Sequence, residues 1–395
     1  MATTQRRNVA ILSLALALNV VAVTVSITLN SLVGAMLAPQ AAFATLPITM
    51  TVLGTAATTV PAALLMRRFG RRAGFLCGAL AGGLSGLICA YGLYIGSFTL
   101  FCTGTFLAGI YNAFAQYYRF AAADNTPLAD HGKVISYVLA GGILAAVAGP
   151  ELAKWSKDLL LPYSFLGSYL ALVVLALTAA GLLSRLDIPP LSAAQRAGPA
   201  RPLRAIIRQP AFVVAVMGGM FSYGVMTLVM TSTPLAMLAC GLKVDDAAFV
   251  IQWHGLGMFA PSLVTGHLIR RAGVLTIMLI GTLLLATCAL VALSGIDLAN
   301  FAIANLFLGV GWNFTFIGAT TLLSEVYSPA ERAKVQALND FSVFCVVAGA
   351  SFLSGALLHY FGWRTVVALS LPFILLVVGA TGWLGYQRRL ARRLA

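Results

Sequence analysis

The chain has 395 residues, of which 60% are hydrophobic and only 9% charged, with a formal charge of +14. No water-soluble globule shows that balance, so a soluble enzyme or soluble binding module is excluded. The basic residues sit in short clusters between apolar runs, a membrane-orientation pattern and not a nucleic-acid-binding stripe.

Apolar runs long enough to cross a bilayer as helices recur along the chain. They are predicted over residues 9–36, 42–66, 73–95, 98–120, 133–154, 162–184, 211–238, 246–269, 274–295, 298–324, 334–358 and 363–387. The first follows Gln5-Arg6-Arg7 and contains Ala35-Met36-Leu37-Ala38, a conceivable signal-cleavage site. Its apolar stretch is longer than a signal core, so it is read as an uncleaved span. Twelve spans put both termini on one side. All but four of the 25 Lys and Arg (Lys154, Lys157, Lys243 and Arg364) fall on that side. The positive-inside rule makes it the cytoplasm, with the chain in a bacterial-type inner membrane. The six cysteines (77, 89, 102, 240, 288 and 345) form no C-x-x-C, which argues against a disulfide scaffold or zinc module.

Two loops repeat. Ala63-x-x-x-Arg67-Arg68-Phe69-Gly70-Arg71-Arg72 follows the second span, and Gly266-x-x-x-Arg270-Arg271-Ala272-Gly273 follows the eighth. Between them, Arg185 to Pro210 carries Pro189-Pro190, Pro199, Pro202 and five arginines, the composition of a flexible linker. The expected organisation is a six-helix bundle over 1–184, a cytoplasmic linker over 185–210 and a second six-helix bundle over 211–395. Two related halves are the plan of many secondary transporters, with substrate near the midplane. On the fifth span Gly149-Pro150 predicts a helix kink.

The seventh and eighth spans carry Met226-x-x-x-Met230 and His254-x-x-x-Met258. Residues four apart share a helix face, and a short link, about Leu242 to Asp246, makes the two spans antiparallel neighbours. Counting roughly 1.5 Å per residue from that link brings all four toward the middle of a core about 30 Å thick. Three thioethers and an imidazole form a soft donor set suited to Cu(I). Met237 and Cys240 extend the stripe toward the outer surface as a possible entry path. An intramembrane histidine is itself a functional signal, the alternative role being proton relay or hydrogen bonding without metal. Asp340 and Glu325, at the inner ends of the eleventh and tenth spans, are possible proton-coupling groups; the alternative is pairing with Arg332 or Lys334. Asp124 is expected to pair with Arg119. No G-x-S-x-G, H-E-x-x-H or phosphate loop occurs, so neither an enzyme nor an ATP-driven pump is expected.

The paired loops resemble the G-x-x-x-D-R-x-G-R-R signature of the major facilitator superfamily. The resemblance implies an all-α membrane protein of twelve transmembrane helices in two pseudo-symmetric six-helix bundles. Arg67, Arg68, Gly70, Arg71, Arg270, Arg271 and Gly273 would form its gating loops, or else merely hold those loops in the cytoplasm. Arg67 and Arg270 stand where the signature has its acidic residue, and Ala63 replaces its first glycine. Within the superfamily, the Met/His pattern resembles the CcoA-type copper importers, which supply copper for cbb3-type cytochrome c oxidase assembly. That resemblance implies copper import through Met226, Met230, His254 and Met258, with cytoplasmic copper chaperones as partners. The ion would be cargo, with no separate cofactor, and the carrier is expected to act as a monomer in the lipid bilayer. The run from Met230 to Met237 and Gln252-Trp253-His254 also resembles the wider group, which includes riboflavin-uptake members. Such a ring substrate would meet Tyr223, Trp253, Trp312 and Phe314, and drug/proton efflux is a further alternative.

Overall fold

Residues 3–40, 43, 46–124, 126–189 and 200–394 are described by the computed structural model, and all of their regular structure is helical. The first half comprises α1 Thr3–Leu37, α2 Leu46–Phe69, α3 Arg71–Tyr94, α4 Phe98–Ala115 continued by α5 Tyr118–Ala123, α6 His131–Ala140 with α7 Gly142–Ser156, and α8 Leu166–Leu183. A short helix, α9 Leu203–Ile207, precedes the second half. That half comprises α10 Pro210–Ala239, α11 Val244–Phe259 with α12 Ser262–Ala272, α13 Val274–Ser294, α14 Leu298–Ser324, α15 Arg332–Ala368 and α16 Ser370–Leu394. Gly362, at φ 76°, bends α15 and separates the eleventh span from the twelfth. Among the described residues these helices group into twelve successive segments, six in each half.

Local chemistry sets the breaks. Pro261 has no N–H to continue the helical ladder, and the eighth span divides there into α11 and α12. Pro234 and Pro150 sit inside continuous helices, and the fifth span breaks at Gly141 and not at Gly149-Pro150. The repeated loops share a backbone: Gly70 (φ 86°) and Gly273 (φ 87°) cap the helices α3 and α13 in the same left-handed conformation. A side chain at either position would be strained, which explains why glycine recurs at the same point of both halves.

The contacts divide into two compact units. One is Met1–Asn125, Gly141–Gly198 and Arg332–Phe341; the other is Thr126–Ala140, Pro199–Glu331 and Ser342–Ala395. In the first, α1 packs on α7 and α8, α3 on α4 and α8, and α2 on α4. Val25, Leu29, Phe101 and Tyr169 are central to its core, where the Tyr169 hydroxyl donates to Asn30 Oδ1 at 2.8 Å. In the second, α14 is the hub, packed by α10, α11 and α13, while α12 lies against α6.

Arg196, Pro190 and Pro199 of the expected linker lie outside the described residues. Its far end is fixed. Arg201 donates from its backbone N–H and from Nε to Glu331 Oε1 (2.7 and 2.8 Å) and from Nη2 to Oε2 (2.6 Å). Ser328 adds a backbone N–H at 2.9 Å. These donors hold the Glu331 carboxyl well below the usual carboxylate range.

Candidate functional site

The second unit builds a site on the shared face of α10, α11 and α14. His254 is 1% exposed, and its Nδ1 lies 2.9 Å from the backbone carbonyl of Asn305 on α14. A carbonyl only accepts, so Nδ1 carries the proton in the neutral ring and Nε2 is left as an acceptor. Nε2 has no partner among the described residues. The approach is close because Gly309 faces α11: a Cβ there would stand 2.5 Å from the His254 carbonyl and 2.8 Å from the Met258 nitrogen. Asn313 bridges the break in the eighth span, donating from Nδ2 to the Met258 carbonyl and to Ser262 Oγ, both at 2.6 Å.

At about 100° per residue, Asn305, Gly309, Trp312 and Phe316 form one stripe of α14, roughly 60° wide. On α10 the same arithmetic puts Tyr223, Met226 and Met230 on one face, also about 60° wide. The two faces meet in an aromatic cluster. Trp312 stacks on Phe316 with centroids 4.9 Å apart and planes at 14°. Tyr223 meets both edge-on, at 5.4 and 5.5 Å. Phe344 of α15 lies 6.0 Å from Tyr223, and Phe259 of α11 lies 6.1 Å from Trp312. Trp312 is buried, yet its Nε1 donor also lacks a partner among the described residues.

Met226 is buried and Met230 and Met258 are half-buried. Met237 is fully buried, whereas Cys240 is exposed at the end of α10. Of the four aromatics expected around a ring substrate, Tyr223 and Trp312 join the cluster. Trp253 is exposed and pairs with Phe249 at 6.1 Å, and Phe314 packs toward Gly281 of α13. Phe316, Phe344 and Phe259 were not singled out by the sequence; the i, i+4 spacing of Trp312 and Phe316 was the available signal.

The first unit holds a second polar cluster. Arg119 Nη2 donates to Asp340 Oδ1 at 2.6 Å, with the two side chains 3% and 0% exposed. Asn339 donates to the same oxygen at 2.8 Å, and Asp340 Oδ2 has no partner among the described residues. Arg71 Nε and Arg332 Nη1 each lie 2.9 Å from Asp124 Oδ2, and Arg71 Nη2 donates to Gln336 Oε1 at 2.8 Å. The expected pairings are therefore exchanged. Asp124 takes Arg71 and Arg332 in place of Arg119, and Asp340 takes Arg119. Glu325, in the second unit, meets Arg388 at 3.0 Å. Of the loop arginines, only Arg71 is buried; Arg67, Arg68 and Arg271 are exposed, and Arg270 lies 3.6 Å from Asp130.

The Major Facilitator Superfamily model matches residues 10–291 and again 234–393. The chain belongs to the major facilitator superfamily. Solved members share the fold: the human organic anion transporter MFSD10 superposes with a TM-score of 0.77 at 14% identity, covering 96% of this chain and all of that one. The transporter FucP in its outward conformation gives a TM-score of 0.74 at 15% identity, over 94% and 98% of the two chains. Among relatives by sequence, riboflavin transporter RfnT of Brucella anthropi is 45% identical over 379 residues, 95% of each chain. The uncharacterized transporter YdeG of Bacillus subtilis is 27% identical over 378 residues, 89% of this chain and 86% of that one.

The relative named for riboflavin overturns the expectation of copper import, and with it the roles in oxidase assembly and with copper chaperones. The geometry gives a physical reason for the misreading. The methionine stripe of α10 also carries Tyr223, the residue that joins the aromatic cluster, and thioethers are adaptable packing beside rings. The spacing that fits a soft-metal path fits an aromatic pocket equally well.

Proposed function

We propose that the chain is a secondary transporter that brings riboflavin, or a neutral ring compound of the same kind, into the bacterial cytoplasm. One observation carries the reading: 45% identity over 95% of both chains to a protein named as a riboflavin transporter. The second-unit site supports it, since an apolar face of rings and thioethers with a few unpartnered polar atoms suits a flat heteroaromatic ligand. Neither α10 nor α14 contains Asp, Glu, Lys or Arg, which favours a neutral cargo over a cationic drug. Alternating access needs no covalent chemistry and no bound cofactor. The distribution of Lys and Arg supports an inner-membrane location with cytoplasmic termini, the repeated arginine loops lying on that side as gates. We assign proton coupling to Asp340, a buried intramembrane carboxylate with one bare oxygen; Glu325, part-exposed and paired with Arg388, is the weaker choice. The carrier works as a monomer in this reading.

The test is growth of a riboflavin auxotroph at low external riboflavin, with radiolabelled riboflavin and copper uptake measured in the same strain. Rescue and saturable riboflavin uptake, with copper unchanged, are expected. An expressed, membrane-inserted protein that gives neither rescue nor uptake refutes the reading.

A further inference from the structure

The start of the fifth span carries a histidine where the other half of the chain has an arginine. Asp124-x-x-x-x-x-x-His131-x-Lys133-Val134 answers to Glu325-x-x-x-x-x-x-Arg332-x-Lys334-Val335, and a further carboxylate, Asp130 or Glu331, directly precedes each cation position. His131 opens α6 as Arg332 opens α15. Arginine is charged throughout, whereas an imidazole in the same position is charged only when it carries two protons.

The hydrogen bonds around His131 require both protons. Nε2 lies 3.0 Å from the Thr126 carbonyl, which only accepts, so Nε2 is protonated. Nδ1 lies 2.8 Å from Ser324 Oγ, at the end of α14. The single hydroxyl proton of Ser324 is directed to the Thr321 carbonyl at 2.6 Å, so Oγ meets Nδ1 as an acceptor. A neutral ring leaves one of these three contacts as lone pair against lone pair; the imidazolium satisfies them all. α6 packs on α12 and α14. The charged or titratable groups there are Asp130, Lys133 and Tyr137 beside His131, then His267, Arg270 and Arg271 on α12. α14 has none along its length, and Glu325, one residue past it, meets Arg388 at 3.0 Å. Asp130 lies 3.6 Å from Arg270. Cations outnumber carboxylates in this set, which opposes the second proton and makes it removable as the pH rises.

We infer that His131 is a pH-operated latch: as imidazolium it ties the start of α6 to the end of α14, and as neutral imidazole it lets that tie go. α6 belongs to the second unit although α7, which completes the same span beyond Gly141, belongs to the first. Its attachment to α12 and α14 is one that the span gives up when the two six-span halves rock as bodies. The other fastening is uncharged: Ser136 Oγ donates to the Ser262 carbonyl and accepts from the Gly266 N–H. Protonation of His131 therefore holds α6 as it stands here, and deprotonation frees it. That the sensed pH is the cytoplasmic one rests on the orientation proposed above; the latch itself does not.

The experiment is 15N NMR of the histidine rings of the full-length protein in lipid bilayers at pH 7, where a free imidazole is mostly neutral. The His131 signals are those missing from His131→Gln, or from His131→Arg where that variant does not fold. Two protonated ring nitrogens are expected; a bare ring nitrogen on His131 at pH 7 overturns the inference. Hydrogen exchange of residues 126–140 in nanodiscs reads the latch without any cargo. After correction for intrinsic exchange, the native segment is expected to exchange about fivefold or more faster at pH 8.5 than at pH 6.5, the effect of losing one hydrogen bond to a charged group. His131→Gln and His131→Arg are expected to show no such difference. A native segment equally protected at both values, or a difference that survives in the variants, overturns the latch. Each of these outcomes is independent of riboflavin, so the ring-ligand reading stands or falls on uptake alone.

Discussion

Neutralising Asp340 should cost far more than its single ion pair suggests, and at acidic pH more than removing its partner. Arg119 and Asp340 meet at 2.6 Å with 3% and 0% of their side chains exposed. Around them lie two further guanidiniums, Arg71 and Arg332, and one further carboxylate, Asp124. Asp340→Asn strands a buried guanidinium, a group that stays charged in proteins. Breaking one side of such a pair costs about 3–5 kcal/mol. Arg119→Met differs, because a stranded carboxylate can take up a proton. Acidification therefore relieves the Arg119→Met penalty, while that of Asp340→Asn barely moves. The double variant Arg119→Met/Asp340→Leu should recover most of the loss, since apolar replacement of a buried pair is near neutral. Reversible unfolding in mixed detergent–SDS micelles at pH 7 and pH 5 measures all three. Asp340→Asn within about 0.5 kcal/mol of the native protein, or a double variant as damaged as the two singles added, would refute the reasoning.

Three more outcomes are expected. Gly309→Val sets side-chain carbon against the His254 carbonyl, which is 2.5 Å from even a Cβ, so α11 must move and riboflavin uptake should be lost at normal membrane expression. Glu331→Gln should destabilise the protein at neutral pH by removing the charge that Arg201 grips. The native carboxyl is held well below its ordinary value, so its contribution is full above about pH 4.5 and lost progressively as the pH falls further, the native and variant melting curves drawing together only well below that. Met226→Leu and Met258→Leu conserve volume, should cost less than about 1.5 kcal/mol each and should leave riboflavin uptake largely intact. Loss of uptake in both at full stability would mean the sulfurs themselves contact the cargo.

The spans were legible because a bilayer imposes their length and apolarity residue by residue, and the arginine-rich loops fixed their count. The break in the eighth span was signalled by Pro261, but its repair by Asn313 was not, since that contact joins residues 55 positions apart. The buried ion pair was less legible still. Arg119 and Asp340 are 221 residues apart, and sequence proximity suggested Asp124 and Arg332 as their partners. The rule that intramembrane charges must be paired could say that Arg119 needs a carboxylate, but only the fold says which one. In the candidate site, helical periodicity placed Met226, Met230 and Met237 on one face. What that face meets depends on α14 and α15, whose aromatic side chains lie up to 121 residues further along, between Tyr223 and Phe344.

The copper and ring-ligand readings begin from the same residues and diverge at the imidazole. A metal path needs the thioethers and His254 to converge as donors on a point, so Nε2 should be directed among sulfurs and neither of the remaining donors in the site should matter. A ring-ligand site makes no such demand on Nε2: it needs stacked rings beside a polar contact, with the sulfurs as compliant walls. The relative named for riboflavin favours the second logic, and the Trp312 donor, without a partner among the described residues, fits it. An indole N–H offers nothing to a cation, and burying it unsatisfied in a metal path would be an unexplained cost. Beside the Tyr223–Trp312–Phe316 cluster, however, in the proposed ring-ligand reading it would be a donor to the cargo.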